Sequence, residues 1–164
     1  MDFKLYTISK KGFFVPKYII GNEGDLAFTV HTHAFSIRRK HSFFDNFGYE
    51  RLVMKRKFSF GRLKFELTHR DIHVAYIEQA GKIFRNDFVI DSPYNYYNVK
   101  ADFRMTKAVI TEDGNEIATI SRKAFKKKDR YGIAMIQEAD EKLILAMAIA
   151  MEVSRKIKKA RKSA

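Results

Sequence analysis

The first 137 residues of the chain repeat a short alternation of polar and apolar positions. It is clearest at Leu63, Phe65 and Leu67, which are separated by polar residues, and from Tyr97 to Met105. Such a period of two predicts strands with one buried and one wet face, as in an antiparallel sheet. The pattern predicts twelve strands, over residues 3–9, 17–21, 26–32, 36–44, 49–58, 63–70, 73–79, 83–91, 96–105, 107–112, 116–125 and 130–136.

Turn signals separate these segments. Asp113-Gly114 lies between two alternating runs and is the strongest hairpin signal in the chain. Gly24 and Pro93 mark further joints. Since no helical crossover interrupts the predicted strands, we do not expect parallel pairing of the βαβ type.

One helix is predicted after the strands. Residues 143–151 are apolar without interruption, and Asp140 is a good N-cap residue. A helix that is apolar on all sides must be surrounded by protein. We therefore expect a closed antiparallel β-barrel of about twelve strands around a central hydrophobic helix at about 140–159. The sequence predicts one domain over 1–159 and a disordered basic end over 160–164.

Composition narrows the possibilities. The 164 residues contain no cysteine, which excludes disulfides and thiol chemistry. The apolar run at 143–151 is less than half of the roughly 20 residues that cross a bilayer, and the N-terminus lacks the apolar stretch of a signal peptide. We expect no transmembrane segment and a cytoplasmic location, with peripheral contact to a membrane as one option.

The net charge of +13 favours anionic partners. Residues 155–162 contain six basic and no acidic residues, so the rest of the chain keeps +7. Nucleic acid, acidic lipid and an acidic protein all fit this charge. The alternative is that the charge only keeps the domain in solution.

The last third of the chain resembles a known family. EDGNEIATISRKAF, DRYGIAMI and EADEKLILAMAIAMEVSRK are similar to the end of the tubby C-terminal-like superfamily, and most of all to its LURP-one-related branch. The resemblance is specific over 107–156 and looser over 3–106. It implies a barrel of twelve strands that encloses a C-terminal helix. Tubby domains bind phosphoinositide head groups and the related scramblases are membrane-associated, but the chain lacks the cysteines that scramblases use for lipid attachment.

No catalytic motif is present. The sequence has no nucleophile elbow, no zinc-protease helix and no glycine-rich phosphate loop. His31 and His33 share one face of a predicted strand, but a metal needs three or four convergent ligands. We expect no enzymatic activity, no cofactor and no metal.

Clusters of cations on or beside strands are the best functional candidates. We expect a binding module, most plausibly for anionic lipid head groups, with a protein-interaction or regulatory domain and a nucleic-acid binder as alternatives. Five phenylalanines lie among the cations, and most of them are expected in the core: Phe43, Phe44, Phe58, Phe60 and Phe125. The predicted ligand-binding residues are Lys55, Lys57, Arg122, Lys123, Lys126, Lys127 and Lys128.

Overall fold

A computed structural model describes residues 2–12, 15–33, 39–80, 86–122 and 130–163. Twelve strands precede one helix. They are β1 Phe3–Lys11, β2 Lys17–Asn22, β3 Asp25–Thr32, β4 Lys40–Asp45, β5 Glu50–Lys57, β6 Lys64–His69, β7 Ile72–Ala80, β8 Asp87–Asp91, β9 Tyr96–Ala101, β10 Lys107–Glu112, β11 Asn115–Ser121, β12 Arg130–Ile136 and the helix α1 Glu141–Lys162.

The strands close into a barrel of antiparallel neighbours. Each strand pairs with the next in sequence, and β1 pairs with β12 from Phe3↔Ile136 to Ser9↔Arg130. Because all the connections join neighbours, short turns suffice and no sheet edge is left unpaired. The mainly β, twelve-stranded antiparallel barrel that the alternation predicts is confirmed.

The helix fills the barrel. Its residues from Leu143 to Ser154 are all buried, and they join the inward-facing side chains of the strands in one apolar core. Asp140 caps the helix by accepting a hydrogen bond from the backbone N–H of Leu143 at 3.3 Å, as predicted. The helix continues to Lys162, into the segment that we expected to be disordered. Within the described residues, no helix has the length and hydropathy to cross a membrane.

The alternation from Tyr97 to Met105 overestimates one strand. β9 ends at Ala101, because the next carboxylate, that of Asp102, accepts hydrogen bonds from the backbone N–H groups of Thr106 and Lys107 at 2.6 and 3.0 Å. The resulting turn leaves Phe103 77% exposed, although its spacing places it on the buried face.

The two ends of the barrel differ. The connections after β2, β4, β6, β8, β10 and β12 are short and form what we call the turn end, where the helix begins. The connections after β1, β3, β5, β7, β9 and β11 form the exit end, where the C-terminal half of the helix emerges.

Candidate functional site

Inward-facing positions become polar at the exit end. On β1 the inward residues Tyr6 and Ile8 are buried, and the next inward residue is Lys10. On β5 Met54 is followed in the same phase by Arg56. The interior of the barrel therefore ends in cations around the last turns of the helix.

The first cavity at this end, the histidine cavity, has a volume of about 460 Å³ and lies between β1, β2, β3, β4 and the helix. Its floor contains Tyr18 and His41, which are 1% and 3% exposed. It is lined by Lys10, Val15, Pro16, Tyr18, Thr32, His33, Arg39, His41, Val153 and Lys156. No carboxylate occurs among these lining residues.

Burial and positive charge shape the titration of this cavity. Burial lowers the pKa of Lys156 to about 8, and the contact with Lys10 adds to this effect. Burial also lowers the pKa of His41 to about 4, since a backbone hydrogen bond at Arg39 only partly offsets it. His41 is therefore neutral near pH 7, and the ammonium of Lys156 contacts both Lys10 and, at 3.9 Å, the carboxylate of Glu152.

Two further cavities surround the end of the helix. The arginine cavity, of about 540 Å³, is lined by Arg39, Arg56, Lys156, Ile157, Ala160 and Arg161. The Phe103 cavity, of about 380 Å³, is lined by Phe103, Arg104, Met105, Thr106, Arg122, Arg155, Lys158, Lys159 and Lys162. Among the described residues that line these two cavities there is no carboxylate. Burial lowers the pKa of Arg56, and the like charges of Arg161 and Arg39 lower it further.

A buried carboxylate anchors the helix at this level. Glu152 is 3% exposed, accepts two hydrogen bonds of 3.1 Å from Arg155 and accepts another from the hydroxyl of Tyr131. Burial acts to raise the pKa of Glu152, but the hydrogen bonds from Arg155 and Tyr131 outweigh it and the pKa is lowered. Glu152 also lies 3.9 Å from the ammonium of Lys156, so one carboxylate serves Arg155, Lys156 and Tyr131 together.

Charge is divided between the two ends. Acidic residues concentrate at the turn end, and the described examples there are Asp2, Glu23, Asp25, Asp45, Glu50, Asp71, Asp91, Glu112, Asp113, Glu116, Glu138, Asp140 and Glu141. Cations concentrate at the exit end, as Lys10, Lys11, Lys17, Arg39, Lys40, Lys55, Arg56, Lys57, Arg62, Lys64, Lys100, Arg104, Lys107, Arg122, Arg130, Arg155, Lys156, Lys158, Lys159, Arg161 and Lys162. The exceptions are Lys4, Arg51, Arg70 and Lys142 near the turn end and Glu78, Asp87 and Asp102 near the exit end. Most of the described carboxylates still lie at one end of the barrel and most of the described cations at the other.

The predicted binding residues are only partly brought together. Arg122 lines the Phe103 cavity with four cations of the helix. Lys55 and Lys57 project from the outer face of β5, and Lys57 forms a salt bridge of 3.4 Å with Glu66. Lys123, Lys126, Lys127 and Lys128 lie outside the described residues.

His31 and His33, which the sequence predicts on one face of a strand, have separate surroundings. His31 packs edge-on against Phe44, whereas His33 lines the histidine cavity and has a hydrogen bond of 3.0 Å with Ser42. Among the described residues, no three His, Asp or Glu side chains group as metal ligands would.

Sequence reasoning did not single out most of the histidine cavity. Lys10 and Lys156 are 146 positions apart, so no motif joins them. A usable signal was the phase of the alternation, because Lys10, Thr32 and Arg56 continue the inward-facing rows of their strands.

Comparisons with known proteins agree with the fold. The family model for LURP-one-related proteins matches residues 4–152. An X-ray structure of a protein from Arabidopsis thaliana is similar, with a TM-score of 0.66 and 13% sequence identity over 92% of this chain and 91% of that chain. No curated protein matches the chain significantly.

Proposed function

The chain belongs to the LURP-one-related family, and we propose that its barrel is a non-enzymatic binding module for anionic phospholipid head groups at a membrane surface. The observation that carries the proposal is the position of three cavities rich in cations at one end of the barrel. A surface of anionic lipid attracts basic residues by about 1 kcal/mol for each cation near it.

The polarity of the barrel supports one orientation. A negative surface attracts the exit end and repels the carboxylates of the turn end. Docking by the exit end presents the three cavities to the head groups.

Exposed aromatic residues at the exit end support contact with lipid in addition to charge. Phe58 and Phe60, in the connection after β5, are 89% and 93% exposed, so of the phenylalanines expected mostly in the core these two lie outside it, whereas Phe43 is buried. Phe103 is exposed in the connection after β9, with the ammonium of Lys162 at 5.3 Å from its ring centroid. Apolar side chains beside cations are the combination that binds the interface of an anionic bilayer.

The test is sedimentation with vesicles. Vesicles that contain phosphatidylserine should bind the protein and neutral phosphatidylcholine vesicles should not, and the binding should weaken with salt because exposed charges are screened over about 10 Å at 0.1 M. Phe60→Ser should weaken this binding about tenfold, since an exposed phenylalanine that enters the interface buries most of its side chain.

The chain provides a matched control. Phe47 is 78% exposed at the turn end, so Phe47→Ser should leave vesicle binding unchanged. Equal effects of Phe47→Ser and Phe60→Ser would refute the orientation. Duplex and single-stranded DNA are titrated at the same salt, and stronger binding to either would favour the nucleic-acid alternative. Binding to neither lipid nor nucleic acid would favour the protein-interaction alternative.

A cytoplasmic location at the membrane periphery remains part of this proposal.

A further inference from the structure

We propose that the histidine cavity is a receptor for a phosphate monoester, held between the ammonium groups of Lys10 and Lys156. The inference deepens the proposed function, on which it rests in so far as the phosphate belongs to a lipid. A free phosphate monoester offers the same chemistry, and the experiments below separate the two sources.

Buried polar atoms without partners gather at this cavity. Within the described part of the chain, three buried side-chain atoms have no hydrogen-bond partner, and they are the hydroxyls of Tyr18 and Thr32 and Nδ1 of His41. All three belong to side chains that line the histidine cavity. A buried polar group without a partner costs about 1–3 kcal/mol, so their concentration in one cavity points to a polar ligand.

Positive charge gathers at the same cavity. Lys10, Arg39 and Lys156 are three cations among its described lining residues, which include no carboxylate. Glu152 lies behind Lys156 at 3.9 Å and is shared with Arg155 and Tyr131. The low pKa of Lys156 has burial and the neighbouring Lys10 as its main causes. An anion between the two ammonium groups would relieve both effects.

The donor arrangement selects the kind of anion. A phosphate monoester carries nearly two negative charges and three terminal oxygens that accept hydrogen bonds. Two lysines, an arginine and two hydroxyls surround this cavity, which is more than the two oxygens of a carboxylate or a phosphodiester can satisfy. The volume of about 460 Å³ lies in the range of small-molecule sites and leaves room for the group that carries the phosphate.

The cavity also has an entrance. Val15, His33 and Arg39 are exposed at its rim, whereas Tyr18 and His41 are buried at its floor. A phosphate can therefore reach the floor while the rest of its molecule stays at the exit end, where a membrane is proposed to lie.

The first experiment uses glycerol 3-phosphate and thermal unfolding. The ligand should raise the melting temperature of the full chain above the effect of chloride at equal ionic strength, because binding to the native state stabilises it. Lys10→Gln should weaken the affinity about tenfold or more, since a hydrogen bond to a charged group is lost. Lys11→Gln is the matched control, because the neighbouring side chain points to the outside of β1 and should leave the affinity unchanged.

Tyr18→Phe separates ligand binding from a structural role. No protein partner of its hydroxyl is lost, so the melting temperature without ligand should stay the same or rise, while the affinity for glycerol 3-phosphate should fall about fivefold. A variant that melts lower and binds glycerol 3-phosphate unchanged would overturn the proposal. No protection of the parent chain beyond the effect of chloride would overturn it as well.

The second experiment distinguishes the source of the phosphate. Vesicles that contain phosphatidic acid, whose head group is a phosphate monoester, should bind more strongly than phosphatidylserine vesicles of matched surface charge, and Lys10→Gln should abolish this preference. Vesicle binding without the preference would refute the receptor but keep the membrane function. Binding of glycerol 3-phosphate without any vesicle binding would keep the receptor, with a free phosphate monoester as its ligand, and refute the membrane function.

Discussion

At the scale of single residues, His41 makes folding sensitive to acid. Burial lowers its pKa to about 4, and the positive charges of Lys156 and Arg39 add to this effect. In the unfolded chain the pKa is about 6.5, so protons bind the unfolded state more tightly. Stability is therefore fully present above pH 6.5 and is lost as the pH falls toward 4.

We expect this residue to reduce the free energy of unfolding by roughly 3 kcal/mol between pH 6.5 and 4. Urea unfolding at a series of pH values measures the effect. His41→Gln should flatten the pH dependence in this window, whereas His69→Gln, near the turn end, should preserve it. If the free energy of unfolding of His41→Gln depended on pH as steeply as that of the parent chain, His41 would not be the group responsible.

A second residue tests the central position of the helix. Leu145 is 1% exposed within the barrel, so Leu145→Asp should prevent folding. A buried unpaired carboxylate costs several kcal/mol against a total stability of about 5–15. Leu5→Asp serves as the control, because Leu5 is 54% exposed on the outer face and its replacement should leave a folded protein. Circular dichroism and gel filtration compare the two variants.

At the scale of elements, the helix divides into a structural and a peripheral part. Leu143–Ser154 fill the barrel, whereas residues 159–163 are exposed. Deletion of 138–164 should therefore leave an open shell that aggregates, because the inner faces of twelve strands lose their partner. A truncated chain that melts cooperatively would refute the central helix.

Deletion of 160–164 should have a small effect. Surface changes are usually worth within about 0.5 kcal/mol, or about 1–2 °C for a chain of this size. Differential scanning calorimetry measures the change in melting temperature. A loss of several degrees would mean that the end of the helix docks on the barrel, and the contact between Lys162 and Phe103 would be the first place to look.

At the scale of the whole molecule, the separation of charge predicts one orientation on an acidic membrane. The chain contains no tryptophan, so a single one reports its own surroundings. Phe60→Trp should shift its fluorescence to shorter wavelengths on acidic vesicles, because the indole leaves water for the interface. Tyr94→Trp, at a turn-end position that is equally exposed at 93%, should show no shift. A shift at both positions would contradict a single orientation.

Much of the fold followed from local pattern. The alternation of apolar and polar residues identified the strands, because one face of the barrel sheet packs against the core and the other faces water. The uninterrupted apolar run identified a helix that needed protein on every side, and Asp140 marked its start. The prediction failed at Phe103, because the carboxylate of Asp102, directly after the end of β9 at Ala101, forms a turn that a count of apolar positions does not register.

Only part of the candidate site could be predicted from the sequence. The basic end of a buried helix and the position of Arg122 among the cations can be read from local composition, because charge and hydropathy are properties of neighbouring residues. That Lys10, Tyr18, His41 and Lys156 line one cavity is evident from the three-dimensional fold alone. Their meeting depends on closure of β1 against β12 and on the depth at which the helix sits in the barrel, and both are set by contacts between residues far apart in the chain.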